Sequence, residues 1–384
     1  MGIENIPLHL RNLAVAPTEN AATALWRTVR SLGATSFVVD DQGRLSGVLT
    51  EGDYPAYHPS LAGLTAGDLA NPAGRTLPEG PDLYWRARRI FERHPHILAL
   101  PVLGPERRLV DVVFKWQSFY EDYFREPARF HSSKLHVINR RAFPYMYYAY
   151  CLWRAAGEAR LGGYKRFSVL EFGVAGGNGL IALEWHARAL ARIFNLEIEV
   201  YGFDSGEGLP PSDDVRDLPH IFGPGSYRMG NQELLRARLT GAELVLGDIS
   251  ETAPVFLSRR RPAPIGALLI DVDAYRAAAA ALDLLTADFE SLLPRVWMYF
   301  DDLDKFQDRS GEDLAIRDFN ATHPHLPICP ENMPAPGPGG SDRAYESFLY
   351  RLKLAHILNH PGYRRHPGPE AAAESSARRF QTRY

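Results

Sequence analysis

Three strings follow one another without interruption over residues 168–194: SVLEF, GVAGGNG and LIALEWHARALARIF. An apolar strand therefore runs into a glycine-rich turn and on into a helix. Glycine is needed where the backbone turns sharply and a ligand must approach so closely that any Cβ would collide with it. The candidates are Gly173, Gly176 and Gly177, with Glu171 on the strand before them. Four more compact apolar segments follow, Glu197–Phe203, Glu243–Leu246, Ala267–Ile270 and Val296–Phe300, separated by longer helical patterns. This alternation predicts the α/β class with a doubly wound parallel sheet, whose ligands bind in the crevice at the carboxyl ends of the strands.

Those carboxyl ends are acidic. EIEVYGFDS carries Asp204 and then Ser205, and AELVLGD ends in Asp248 just before Ile249. Asp271 and Asp273 follow ALLI, and Asp301 and Asp302 follow VWMYF. A carboxylate at Asp204 is placed to accept both hydroxyls of a ribose, and Asp248 lies at the same edge, where an adenine amino group can donate to it. Taken singly, an Asp at a strand end reads as a turn former or helix cap. Taken together, the last four would repel one another unless a divalent cation neutralised them, and hard oxygen donors without a Cys or His pair suit Mg²⁺. Such a cluster can take a proton from a hydroxyl nucleophile and stabilise the alkoxide. Gly177 to Ala182 also fits G-x-G-x-x-A, which keeps an NAD-dependent oxidoreductase open. Its glycines come late, and position 175, where a dinucleotide turn needs its second glycine, is Ala.

At 384 residues the chain exceeds one ordinary domain. Lys and Arg number 43 against 46 Asp and Glu, so no basic excess points to nucleic acid, and small molecules are the expected ligands. The two cysteines, Cys151 and Cys329, make neither a disulfide framework nor a zinc site, which fits a cytoplasmic setting. No basic-then-apolar leader opens the chain, and no stretch is long enough to span a bilayer; the run Phe143–Trp153 reads as a packed helix. His186, Trp116, Trp153 and Trp185 read as packed or surface residues.

The first 120 residues repeat with an offset of 64, setting Val38 on Val102, Val39 on Leu103, Leu45 on Leu109, Val48 on Val112 and Leu49 on Val113. Each copy reads as a helix, Ala21–Leu32 or Asp82–Arg93, followed by a hairpin. The organisation is then an α+β domain over 1–120, a linker over 121–134, an α/β domain over 135–363 and a polar tail over 364–384.

Residues 165–305 resemble the class I methyltransferases, a Rossmann-like fold, and within them the macrocin O-methyltransferase family. The resemblance rests on Glu171 to Gly179, GFDSGEGLP at 202–210, GDISETAP at 247–254, DVDAY at 271–275 and FDD at 300–302. It implies an S-adenosylmethionine-dependent O-methyltransferase acting on a sugar hydroxyl of a natural product or polysaccharide. By that resemblance Glu171, Gly173, Gly176, Gly177, Asp204, Ser205, Asp248 and Ile249 bind the cofactor. Asp271, Asp301 and Asp302 would hold Mg²⁺, with Asp273 the general base. The chain departs from the family at Leu293-Pro294-Arg295 and at Arg276-Ala277-Ala278, which bears on acceptor choice and the metal. The N-terminal repeats, through GVLTEGD at 47–53, resemble a pair of CBS motifs. This implies an adenosyl nucleotide held by Thr50 and Asp53, and association as a homodimer. In the second copy these positions are Phe114 and Gln117, so at most one such site keeps its polar groups. A regulatory protein that binds adenosyl ligands without catalysis is the remaining alternative.

Overall fold

The computed structural model describes residues 3–50, 61, 63–125, 144–303, 310–331 and 350–365. The chain divides into two compact units, Met1–Pro144 and Tyr145–Tyr384.

The N-terminal unit contains the expected duplication. The first copy comprises β1 (Ala14–Val15), α1 (Ala21–Arg30), β2 (Thr35–Val39), β3 (Leu45–Thr50) and the short α2 (Ala66–Leu69). The second comprises β4 (Leu77–Pro78), α3 (Leu83–Arg93), β5 (Ala99–Leu103) and β6 (Leu109–Phe114). Both hairpins carry a register shift at the same place, Val38/Val39 and Val102/Leu103, so the duplication extends to a backbone irregularity. The sequence reading of helix plus hairpin omitted α2 and the strand that opens each copy. Each copy begins with a two-residue strand that pairs in parallel with the hairpin, and two residues carry no periodicity to detect. Each copy also buries its own small core, Val15, Ala24, Val38 and Leu49 in one and Leu77, Phe91, Leu100, Val102 and Val113 in the other. The copies meet where the Leu109 N–H donates to the Gly43 carbonyl at 2.9 Å. The stretch read as the start of a linker opens as helix α4 (Tyr120–Arg125).

The C-terminal unit is a Rossmann-like, doubly wound α/β fold. Its sheet has seven strands among the described residues: β7 (Arg166–Phe172), β8 (Glu197–Asp204), β9 (Glu243–Leu246), β10 (Ile265–Ile270), β11 (Leu292–Phe300), β12 (Ile328–Pro330) and β13 (Leu352–His356). Their order is β12-β13-β11-β10-β7-β8-β9, and only β13 runs antiparallel to its neighbours. The five strands expected from sequence are β7 to β11, which pair with one another in parallel. Helices α5 (Met146–Gly162) and α6 (Asn178–Phe194) lie against each other, and α5 crosses β7, β10 and β11. Helices α8 (Ile249–Arg260), α9 (Tyr275–Asp283) and α10 (Gly311–Thr322) also pack in series, and the short α7 (Gln232–Arg238) precedes β9. Every residue of β10 is buried, as a strand covered on both faces requires. Along β7 the two-residue period sends Leu170 and Phe172 into the core with Phe203, Phe256 and Phe300, and turns Glu171 to the opposite face. Burying each such aromatic contributes roughly 1.5–3 kcal/mol. Strand order reverses beside β7, since β8 follows on one side and β10 on the other, which makes the tips of β7 and β10 the crevice of the sheet. No helix among the described residues is long and apolar enough to cross a membrane.

Candidate functional site

A cavity of about 290 Å³ opens at that crevice. From the tips of β7, β8 and β9 its wall takes Gly173, Asp204, Ser205, Asp248 and Ile249. From the tips of β10 and β11 it takes Asp271, Asp273, Asp301 and Asp302. Nine of the candidate site residues therefore face one space. Glu171, Gly176 and Gly177 are not in the wall. Trp116, Trp153 and Trp185 are absent from it too, and His186 is buried in α6.

The three glycines have different reasons to be there. At Gly173 φ is +91° and a Cβ would lie 1.7 Å from the Asp271 carbonyl oxygen, so the β7 and β10 loops touch only because the side chain is missing. Gly177 caps α6 at φ +82°, under Leu235. Gly176 is exposed, its φ is not left-handed, and nothing lies within 4 Å of where its Cβ would be. The protein itself does not require that glycine. Beneath the loop, Glu171 is 2% exposed; the Tyr148 hydroxyl donates to its Oε1 at 3.1 Å, and its Oε2 is buried without a hydrogen-bond partner. Burial pushes this carboxyl well above its usual range, with the Tyr148 bond opposing and Asp271 and Asp204 adding to the rise.

Asp204 braces the glycine loop from the next strand. Its Oδ2 accepts the Ala175 N–H at 2.8 Å and its Oδ1 the Gly206 N–H at 2.6 Å. Each oxygen keeps a second lone pair for a ligand hydroxyl. The Ser205 hydroxyl donates to the Gly208 carbonyl at 2.6 Å and accepts the Glu207 N–H, closing the turn that opens segment 206–230. Asp248 is the N-cap of α8, its Oδ1 accepting the backbone N–H and the hydroxyl of Ser250 at 2.8 and 2.7 Å. Cap and cavity wall are thus the same residue.

Carboxylate oxygens of Asp271, Asp301 and Asp302 lie within 4.8 Å of one another. Three hard oxygen donors with no nitrogen or sulfur among them fit Mg²⁺ or a similar cation. Two neighbours that sequence reasoning missed hold Asp301: Arg351 donates to its Oδ1 at 3.0 Å, and the Tyr299 hydroxyl donates to the same oxygen. Burial, then the charge of Asp301, pushes the Tyr299 hydroxyl far above its ordinary range, so it stays a donor. Asp273 sits at the centre of a three-residue turn with φ +52°, where the Ala274 N–H donates to the Val272 carbonyl. Asp tolerates that left-handed conformation better than most residues. Glu312, also missed, is buried behind these loops and accepts backbone N–H groups from Val272 and Asp302.

Arg276, in the sequence only a departure from pattern, latches the wall. Its backbone N–H and Nε donate to buried Asp217 at 2.9 and 2.8 Å, and the Ser212 hydroxyl donates to the same carboxylate. Segment 206–230, which carries Leu209, Phe222 and Tyr227 into the wall, is thereby tied to the start of α9. No sequence spacing foretells this pair.

In the N-terminal unit Thr50 ends β3 and is exposed, while Asp53 lies outside the described residues. The matching positions of the second copy are closed by the protein itself. Phe114 is fully buried and stacks on Trp116, and Gln117 accepts the Phe114 N–H at 2.8 Å.

No protein-family model matches the chain, and no curated protein matches it. Solved structures do. The chain is similar to CalS11, a calicheamicin methyltransferase, at 22% identity over 62% of this chain and 90% of that one, with a TM-score of 0.36. An apo structure of CalS11, described as a TDP-rhamnose 3'-O-methyltransferase of calicheamicin biosynthesis, matches at 20% identity over 62% and 92%, TM-score 0.32. The CBS domains of a transcriptional regulator from Streptococcus pneumoniae match at 14% identity over 28% of this chain and 87% of that one, TM-score 0.24.

Proposed function

We propose that the C-terminal unit moves a methyl group from S-adenosylmethionine to a hydroxyl of a small acceptor, a sugar in a natural product or polysaccharide. The observation that carries this reading is the single cavity in which Asp204 and Asp248 share a wall with Asp271, Asp273, Asp301 and Asp302. Asp204 accepts the ribose hydroxyls, Asp248 receives the adenine amino group and Ile249 offers an apolar surface to the ring. The loop of Glu171, Gly173, Gly176, Gly177 and the turn at Ser205 shape the rest of the cofactor pocket. Asp271, Asp301 and Asp302 hold Mg²⁺. S-adenosylmethionine supplies an electrophilic methyl group and Mg²⁺ the charge that stabilises a developing alkoxide.

Asp273 takes the hydroxyl proton as the methyl group is transferred. The walls would do the remainder by orienting the acceptor hydroxyl and excluding water. For the N-terminal unit the reading is a regulatory or dimerising module, with Thr50 and Asp53 as its adenosyl-nucleotide contacts. Calorimetry with S-adenosylmethionine, with and without MgCl₂, tests the proposal. Micromolar S-adenosylmethionine binding, with a further heat on adding MgCl₂ to the complex, supports it. No heat at millimolar ligand, or binding of NAD instead, overturns it.

A further inference from the structure

We propose that Glu312 is the positioning residue that sets the distance between the two acid-bearing loops; the inference rests on the reading above, in which those loops share a cation. Strands β10 and β11 are laddered as far as Ile270 and Phe300, and the Asp301 N–H makes a last bond to the Ile270 carbonyl at 3.0 Å. Beyond that point the chains carrying Asp271-Val272-Asp273 and Asp301-Asp302 leave the sheet, and neither has a ladder to fix its separation from the other. The Glu312 carboxylate takes over that task. Its Oε1 accepts the Val272 N–H at 3.2 Å and its Oε2 the Asp302 N–H at 2.9 Å, so one planar group spans both loops as an extra rung.

The helix that carries it is pressed close to the same place. Gly311 precedes Glu312 at φ +56°, and a Cβ there would lie 2.8 Å from the Asp273 carbonyl oxygen. Glu312 is 1% exposed, and burying a carboxyl against two backbone amides costs desolvation that an apolar side chain would avoid. What it provides in exchange is a fixed geometry for Asp271, Asp302 and the strained turn of Asp273. Its two amide bonds need both carboxylate oxygens and the full Glu length.

Two variants separate position from charge. Glu312→Asp keeps the charge and is one methylene too short to reach both amides, whereas Glu312→Gln keeps the length and loses one acceptor. Binding of Mn²⁺ as a stand-in for Mg²⁺, read from the paramagnetic resonance of the free ion, is measured for the full chain, with S-adenosylmethionine affinity by calorimetry as a control. Both variants should lose Mn²⁺ affinity about tenfold or more, in the range usual for groups that orient metal ligands, while cofactor affinity stays within about twofold. Glu312→Asp binding Mn²⁺ like wild type shows that only charge matters, and overturns the inference. So does wild-type Mn²⁺ affinity in both variants, or parallel loss of cofactor and Mn²⁺. Wild-type protein that takes up no Mn²⁺ overturns the cation reading itself, and this inference with it.

Discussion

Two substitutions in one loop, Gly173→Ala and Gly176→Ala, should fail in opposite ways. At Gly173 the added methyl would meet the Asp271 carbonyl oxygen at 1.7 Å, half the 3.4 Å at which ordinary contact begins, so the β10 tip must retreat by about 1.7 Å. An L residue at φ +91° adds roughly 1–2 kcal/mol of backbone strain. Forcing a methyl into packed surroundings adds typically 1–3 kcal/mol. The sum, about 2–5 kcal/mol, corresponds to a melting temperature lower by roughly 4–20 °C for a unit of this size. Gly176→Ala meets nothing within 4 Å and needs no left-handed backbone. Its stability should stay within about 1 kcal/mol of wild type, with any change favourable, because alanine restricts the unfolded chain. If that glycine is there for the cofactor to approach, its S-adenosylmethionine affinity should nevertheless fall tenfold or more, to about 1.4 kcal/mol of lost binding. Differential scanning calorimetry reads the first effect and titration calorimetry the second. A Gly173→Ala protein that melts within about 2 °C of wild type would refute the contact between the two loops. Gly176→Ala binding cofactor normally would refute the reading of the loop as an adenosyl cradle.

Asp273→Asn should lower methyl transfer by about 10²–10⁴, the usual contribution of a general base, with cofactor affinity and stability unchanged because Asn also tolerates φ above zero. A variant that keeps more than about a tenth of the wild-type rate removes Asp273 from that role. Glu171 holds its proton in the folded protein to a higher pH than the ordinary 4.5, chiefly through burial. Between that value and its raised one the native state binds more protons than the unfolded state, so stability contributed by the neutral carboxyl falls as pH rises. Glu171→Gln, a mimic of the protonated acid, should lose this slope, and its advantage over wild type in urea midpoint should grow from pH 5 to pH 8. Parallel profiles would show that Glu171 does not titrate in that window. Arg276→Ala leaves buried Asp217 without its cationic partner, so limited proteolysis within 206–230 should speed up and acceptor KM should rise while cofactor affinity holds. Unchanged cleavage would mean that the latch carries no weight.

The parallel strands were legible because strands covered on both faces are continuous apolar runs, as in ALLI before Asp271. β12 and β13 were not. Ile328–Pro330 is too short for a period, and Leu352–His356 carries Lys353 and His356 in the manner of a strand near the sheet edge. The strand-end acids could be found because a carboxyl-edge site gives each strand tip a predictable place. Glu312 and Arg351 could not, since they act on loops 40 and 50 residues away through backbone and side-chain contacts that leave no spacing in the chain. Nor did the sequence distinguish Gly173 from Gly176; only the distance to Asp271 does.

The position of β13 bears on how the protein is made. It lies between β11 and β12, yet comes after both, so the outer flank of β11 stays bare on a nascent chain until residue 356 has been added. An exposed strand flank invites pairing with other chains. The half of the sheet that presents Asp301 and Asp302 thus matures last, and a chain interrupted between residues 330 and 352 would carry the glycine loop and the acids but leave an open, sticky border beside them.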